Sequence, residues 1–262
     1  MPPIARRVLL ALAIVAVAVA LLVTRMPATT AAPAAYVALG DSYSSGLGAQ
    51  PYSSSSGACL RSPRSYVQQL GRPVTSFRAC AAATTRAVLR RQLGRFPANT
   101  RLVTITIGGN DAGFADVVGS CLLGTPAACE RRVARAEGFV RGVLPARLRR
   151  VYESIRERAP QATVVVAGYP RLLASGPWCS SAGQIDDREQ RLLNEGADVL
   201  SRTIATEVRR HEGFRYVDVR QAFDGHGVCS GDPWIHAVSG ISSFHPTARG
   251  YAAYARVIRA GL

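Results

Sequence analysis

Short apolar, β-branched runs alternate with helix-period segments along most of the chain, and that alternation limits the fold to a parallel sheet with helices on both faces. Strand-like runs fall at residues 36–39, 74–77, 101–107, 163–167 and 214–219, each closed by turn-forming residues. Helical patterns lie at 65–70, 84–93, 128–159 and 185–211, and a last one runs from Pro246 and Thr247 through Tyr254 to Arg259. The expected class is α/β with a central parallel sheet. Two irregular stretches, 49–63 and 220–243, are long for connections inside a compact domain, and loops of that length often carry function.

The first 34 residues stand apart from this pattern. Arg6 and Arg7 precede sixteen apolar residues at 8–23, and a small-residue tract leads on to Ala35. Export signals have a charged start, an apolar segment of roughly 7–15 residues and a small-residue cleavage site, whereas a membrane span needs about 20. Residues 1–34 are read as an export signal cleaved after Ala31 or Ala34, with an uncleaved membrane anchor as the alternative. The residues after the arginine pair match twin-arginine export poorly. Either way the body, 35–262, lies outside the cytoplasm. It is read as one domain and a monomer, long enough to bury a sizeable core.

The six cysteines, Cys59, Cys80, Cys121, Cys129, Cys179 and Cys229, form no CxxC pair and have no histidines at zinc-ligand spacing, so no metal or other cofactor is expected. Behind an export signal they read as three disulfides. Many pairings are formally open; neighbours in sequence are favoured. Net charge is +15 and falls to +12 once Arg6, Arg7 and Arg25 are set aside. There is no lysine. The arginines sit mainly on outer helical positions, such as Arg147, Arg149, Arg150, Arg156 and Arg158, without the clustering or motif that nucleic-acid binding needs. A solvated surface is the plain reading. Association with an anionic membrane or envelope polymer is the functional one, at about 1 kcal/mol per arginine near such a surface.

Three blocks carry chemistry. Gly40-Asp41-Ser42 ends the first strand and opens onto a small-residue turn, Asn110 follows the third strand in Gly108-Gly109-Asn110-Asp111, and His245 precedes Pro246 after the last strand. Open parallel sheets bind ligands at the carboxyl ends of their strands, so all three meet at one edge. A serine hydroxyl needs an adjacent base to act as a nucleophile, and an imidazole supplies one. The resulting oxyanion needs fixed donors, which the Asn110 amide, the Ser42 backbone N–H and a third N–H after strand two offer. Asp41 and Asp111 are read as turn-holding residues. His211, His226 and His236 are read as surface or loop residues. Trp178, Trp234 and Phe244 are candidates either for lining an acyl site or for core packing.

Together with Ser243-Phe244-His245-Pro246, these blocks resemble the GDSL, or SGNH, hydrolase superfamily, and within it the secreted actinobacterial esterase and lipase branch. The blocks come in the family's order and the resemblance spans residues 35–260. It implies a three-layer flavodoxin-like sandwich and hydrolysis of carboxylic, lipid-type esters through an acyl-serine, with Ser42 as nucleophile, His245 as base and Asn110 in the oxyanion hole. The pairing of neighbouring cysteines is also similar to that branch.

Two departures stand out. The family's second block has a glycine lining the oxyanion hole; here Ala82 stands in its place and is expected to keep the N–H donor role. Many members also carry an aspartate three residues before the histidine. Here that residue is Ser242, whose main-chain carbonyl is expected to orient His245, leaving a Ser-His dyad. Asp232 is the best carboxylate candidate for the missing third member. Two alternatives remain open at this point: an acyltransferase or esterase acting on acylated envelope sugars, and a non-catalytic binding protein.

Overall fold

A computed structural model describes residues 32–174, 176 and 179–262. The expectations for residues 1–34 therefore fall almost wholly outside the described residues, as does Trp178. From Ala34 onward the chain forms one compact unit.

Five parallel strands form the sheet in the order β2-β1-β3-β4-β5, with β1 Ala35–Gly40, β2 Ser76–Phe77, β3 Thr100–Thr106, β4 Thr163–Ala167 and β5 Phe214–Val217. Every residue of β1 is buried, as expected where helices cover both faces of a parallel sheet. The order reverses between β1 and β3, whose registers pair Tyr36 with Leu102 and Gly40 with Thr106. This reversal is the switch point at which open α/β sheets bind ligands.

Among the described residues the longer helices are α1 Phe114–Leu123, α2 Pro126–Gly142, α3 Leu144–Arg158, α4 Asp187–Val208 and α5 Ala248–Ala260. Helices α2, α3 and α4 pack on one another, while α5 packs on the short turns Gln68–Leu70 and Gln221–Phe223. Segment 128–159, which reads as one helical pattern, is broken at Val143 because Pro145 begins the next helix; proline has no N–H to continue the first one. The pattern at 65–70 shrinks to a single 3-10 turn. That at 84–93 becomes an α turn, Thr85–Ala87, running into a π turn, Val88–Gln92.

Disulfides join Cys59 to Cys80, Cys121 to Cys129 and Cys179 to Cys229. The first ties the 49–63 insertion to the chain leaving β2, the second staples α1 to α2, and the third ties the segment before α4 to the 220–243 insertion. By chain-entropy reasoning each stabilises by about 2–4 kcal/mol.

The end of β1 leaves no room for a side chain. Gly40 has φ +120°, and a Cβ there would stand 2.4 Å from the Thr106 carbonyl oxygen. Its backbone N–H and C=O are both taken by the buried Gln92 amide, each at 2.8 Å. The strand therefore stops at a defined point, one residue before Asp41.

Candidate active site

Asp41 caps the single helical turn Ser42–Ser45: its carboxylate accepts from the Tyr43 N–H at 3.0 Å. Ser42 is thus the first residue of a turn that starts at the carboxyl end of β1, and its hydroxyl faces the loop that carries His245. Ser42 Oγ lies 2.8 Å from His245 Nε2, and both residues are 7% exposed.

The histidine loop is built from backbone pairing. His236 and His245 stand opposite each other, with the His236 N–H donating to the His245 carbonyl and the Phe244 N–H donating to the His236 carbonyl, each at 2.9 Å. The imidazole Nδ1 lies 2.9 Å from the Ser243 carbonyl oxygen. A carbonyl only accepts, so Nδ1 carries the proton and Nε2 presents its lone pair to the Ser42 hydroxyl. This corrects the expectation for Ser242. The Ser242 carbonyl closes a turn by accepting the His245 backbone N–H at 3.0 Å, and Phe244, at φ +59°, turns the chain so that the Ser243 carbonyl faces the ring. Asp232 does not replace it: its carboxylate accepts from Arg249 at 2.6 Å and 3.0 Å and from the Trp234 indole at 3.1 Å.

Burial holds His245 well below the ordinary imidazole value, at about 4; the Ser243 carbonyl works against this shift and the nearby His236 adds to it. The imidazole is therefore neutral across the neutral range. Burial likewise pushes the Asp41 carboxyl up to about 7, while the Tyr169 hydroxyl and the Tyr43 N–H pull it back.

Asn110 follows β3 through Gly108 and Gly109, and its Nδ2 donates to the Ala83 carbonyl at 3.0 Å, leaving a second amide hydrogen for a ligand. Asp111 locks the same two loops together. Its buried carboxylate accepts from the Thr85 N–H at 2.7 Å, the Thr85 hydroxyl at 2.6 Å and Arg147 at 3.2 Å. Ala82 sits on the outer side of this junction in the left-handed region, φ +60°, with its side chain exposed. Neither its N–H nor that of Ser42 has an acceptor among the described residues.

Two tyrosines complete the site, and neither stands out in the sequence. The Tyr43 hydroxyl donates to the Phe244 carbonyl at 2.7 Å, fixing the turn before His245. Tyr169 donates to Asp41 and accepts the Gly109 N–H at 3.1 Å, linking the serine block to the asparagine block. Tyr169 lies just beyond β4 at the carboxyl edge, which is the one signal that singles it out. His211, His226 and His236 all lie on loops or bends, as read from the sequence; His236 is on the loop that carries His245, and its Nε2 bonds the Gly48 carbonyl at 2.8 Å. His226 stacks on Trp234 at 3.5 Å.

Ser42 and Asn110 open onto a cavity between α1, α2 and α4, with about 800 Å³ of empty space including its mouth. Beyond Phe114 its walls are chiefly aliphatic: Val117, Val133, Val140, Leu193 and Leu200. Trp234 and Phe244 are not among the lining residues; Phe244 is buried within the loop that carries His245. The arrangement sets a serine hydroxyl against the acceptor nitrogen of a neutral imidazole, next to an apolar cavity.

The sequence model of the GDSL-like Lipase/Acylhydrolase family matches residues 38–253. The chain is 44% identical over 234 residues to Lipase 1 of Streptomyces coelicolor, covering 87% of this chain and 86% of that one. Among solved structures it is similar to phospholipase A1 from Streptomyces albidoflavus, with a TM-score of 0.83, 43% identity and coverage of 87% and 99%. It is likewise similar to the extracellular lipase of Streptomyces rimosus, with a TM-score of 0.82, 44% identity and the same coverage.

Proposed function

The chain belongs to the GDSL-like lipase/acylhydrolase family and is a carboxylic ester hydrolase; on that footing we propose that it is an exported enzyme cleaving lipid-type acyl esters through an acyl-serine formed on Ser42. The observation that carries this reading is the 2.8 Å contact between Ser42 Oγ and His245 Nε2 at the mouth of an apolar cavity.

Ser42 Oγ attacks the ester carbonyl carbon while its proton passes to Nε2 of His245. The carbonyl oxygen becomes an oxyanion, held by the N–H groups of Ser42 and Ala82 and the free amide hydrogen of Asn110; one such donor is worth roughly 10²–10³ in turnover. The C–O bond to the alcohol then breaks, and the alkoxide takes the proton back from the imidazolium. Water attacks the acyl-serine by the same route and releases the acid. The Ser243 carbonyl holds the imidazole tautomer throughout. A neutral acceptor stabilises imidazolium less than a carboxylate does, which fits the low affinity of His245 for protons. The acyl chain lies along the cavity walls.

Export is supported by the three disulfides, which persist in oxidising compartments, and by the apolar leader at residues 8–23. The body is proposed to act as a monomer without a cofactor.

The test is the Ser42→Ala protein, assayed on a short-chain aryl ester with its circular dichroism compared with wild type. Hydrolysis is expected to fall on the order of 10⁴-fold or more with the fold intact, and a fluorophosphonate is expected to label only the protein that keeps Ser42. An unchanged rate overturns the reading.

A further inference from the structure

Two aspartates stand at the carboxyl edge of the sheet, and they are held differently. Asp41 caps the turn that carries Ser42, whereas Asp111, the residue after Asn110, reaches across to a second loop. The Asp111 side chain is fully buried, at 0% exposure. Its partners are the Thr85 N–H at 2.7 Å, the Thr85 hydroxyl at 2.6 Å and the Arg147 guanidinium at 3.2 Å. A buried carboxylate satisfied by several donors, one of them charged, makes a rigid junction.

The loop it grips carries Ala82. One end of that loop is fastened to β1, since the Cys80 N–H donates to the Gly40 carbonyl at 3.0 Å and Cys80 is disulfide-bonded to Cys59. The Ala83 N–H then closes a turn on the Cys80 carbonyl at 3.1 Å, which puts Ala82 at its left-handed third position, φ +60°. The other end is fastened twice by the block after β3: Asn110 Nδ2 bonds the Ala83 carbonyl at 3.0 Å, and Asp111 bonds Thr85. Thr85 opens the turn Thr85–Ala87, which packs on α3, the helix that supplies Arg147.

A carboxylate in this position also brings a charge. An oxyanion forming nearby is itself negative, and a second negative charge opposes it most strongly where water is excluded. The Asp111 charge is felt at the cavity, because Asp41, which lines it, has its carboxyl raised chiefly by burial and further by Asp111. Arg147 supplies the counter-charge. Its guanidinium lies over the Phe139 ring of α2 at 4.9 Å, so it is held by an aromatic face as well as by the carboxylate.

We propose that Asp111 is a positioning residue of the oxyanion hole, setting the Ala82 loop against the Asn110 amide through Thr85, and that Arg147 cancels the charge this clamp introduces. The inference rests on the acyl-serine reading above and adds two residues that touch no reacting atom. Because they act on the oxyanion donors, their effect is felt when the oxyanion forms and is read in kcat more than in KM.

The experiment compares Arg147→Gln, Asp111→Ala and the double variant Arg147→Gln with Asp111→Asn. Each is assayed on a soluble short-chain aryl ester and with an aryl trifluoromethyl ketone, which Ser42 attacks reversibly to give a tetrahedral oxyanion. Arg147→Gln leaves the carboxylate uncancelled: kcat is expected to fall about tenfold with KM within about twofold, and the inhibition constant of the ketone to rise about tenfold. Asp111→Asn in that background removes the charge and keeps a bridge, since the amide oxygen accepts the Thr85 N–H and the NH₂ donates to the Thr85 hydroxyl. The double variant is therefore expected to recover to within about threefold of wild type in both measurements. Asp111→Ala removes the bridge and is expected to lose roughly 100-fold in kcat, with circular dichroism reporting whether it folds; if it does not, the rescue decides. The proposal is overturned if Arg147→Gln changes neither kcat nor ketone binding, or if the double variant is no better than Arg147→Gln. It is also overturned if KM rises as much as kcat falls, or if a folded Asp111→Ala protein keeps its kcat. Ser42→Ala and Asn110→Ala test the reading beneath it. If they lose hydrolysis while the Asp111 and Arg147 variants do not, the clamp alone fails; if they keep it, the acyl-serine reading fails as well.

Discussion

His245 Nδ1 stands 2.9 Å from the main-chain carbonyl of Ser243, so the group that orients the imidazole is part of the backbone and is untouched by side-chain substitution there. Ser242 bonds through its backbone, its carbonyl to the His245 N–H and its N–H to the Ser239 carbonyl. Ser242→Ala is therefore expected to keep kcat/KM within about twofold on a soluble ester. A hundredfold loss would assign its hydroxyl a role that this geometry does not contain.

The pH dependence follows from the same burial. A base works when deprotonated, so kcat/KM falls as pH drops through the free-enzyme value of His245. With His245 held at about 4, the acid limb of kcat/KM is expected near pH 4 and not near the ordinary imidazole value of about 6.5. The stability effects have opposite signs. From about 6.5 down to 4 the unfolded chain takes a proton at His245 before the native state does, which destabilises the fold. From about 7 down to 3.9 the native state takes one at Asp41 first, which stabilises it. A stopped assay on a substrate without titrating groups, with thermal denaturation at each pH, separates activity from unfolding.

Tyr169→Phe removes the donor to the buried Asp41 carboxylate and the acceptor for the Gly109 N–H. Leaving a buried carboxylate short of a donor costs about 1–3 kcal/mol. Because Gly109 precedes Asn110, kcat is expected to fall about tenfold with little change in KM, as for an interaction felt mainly in the transition state. Steady-state kinetics and chemical denaturation read the two effects.

Gly196 of α4 lines the cavity, and a Cβ there would lie 4.0 Å from Val133, an ordinary contact. Gly196→Leu therefore fits the helix while filling the space proposed for the acyl chain. The ratio of kcat/KM for a dodecanoyl ester to that for a butanoyl ester is expected to fall at least tenfold. An unchanged ratio would place the acyl chain elsewhere.

Ala82 holds φ +60° with its methyl group in solvent. A left-handed conformation costs a non-glycine residue about 1 kcal/mol. Ala82→Gly is expected to raise stability by about that amount in urea denaturation while keeping activity, since the N–H is retained.

What was legible in the sequence depended on how local the determining interaction is. The run at 163–167 emerges as β4 because its apolar, β-branched residues are bounded on both sides and buried in a parallel sheet. At the edge of the sheet, β2 keeps only Ser76 and Phe77, since just one neighbour holds it. Helix α1 has no clear signal in the sequence, because Gly108, Gly109 and Gly113 make its approach read as a loop. The serine, asparagine and histidine blocks announce themselves as short motifs. The Tyr169 bond to Asp41 spans 128 residues and leaves no local trace. Which of two adjacent carbonyls faces His245 depends on the positive φ of Phe244, a residue type that gives no warning of it.

The residue after Ser42 grips the turn that bears His245, since the Tyr43 hydroxyl holds the Phe244 carbonyl. Should warming loosen the remainder of the 236–245 segment, this clasp travels with Ser42 and keeps hydroxyl and imidazole in register.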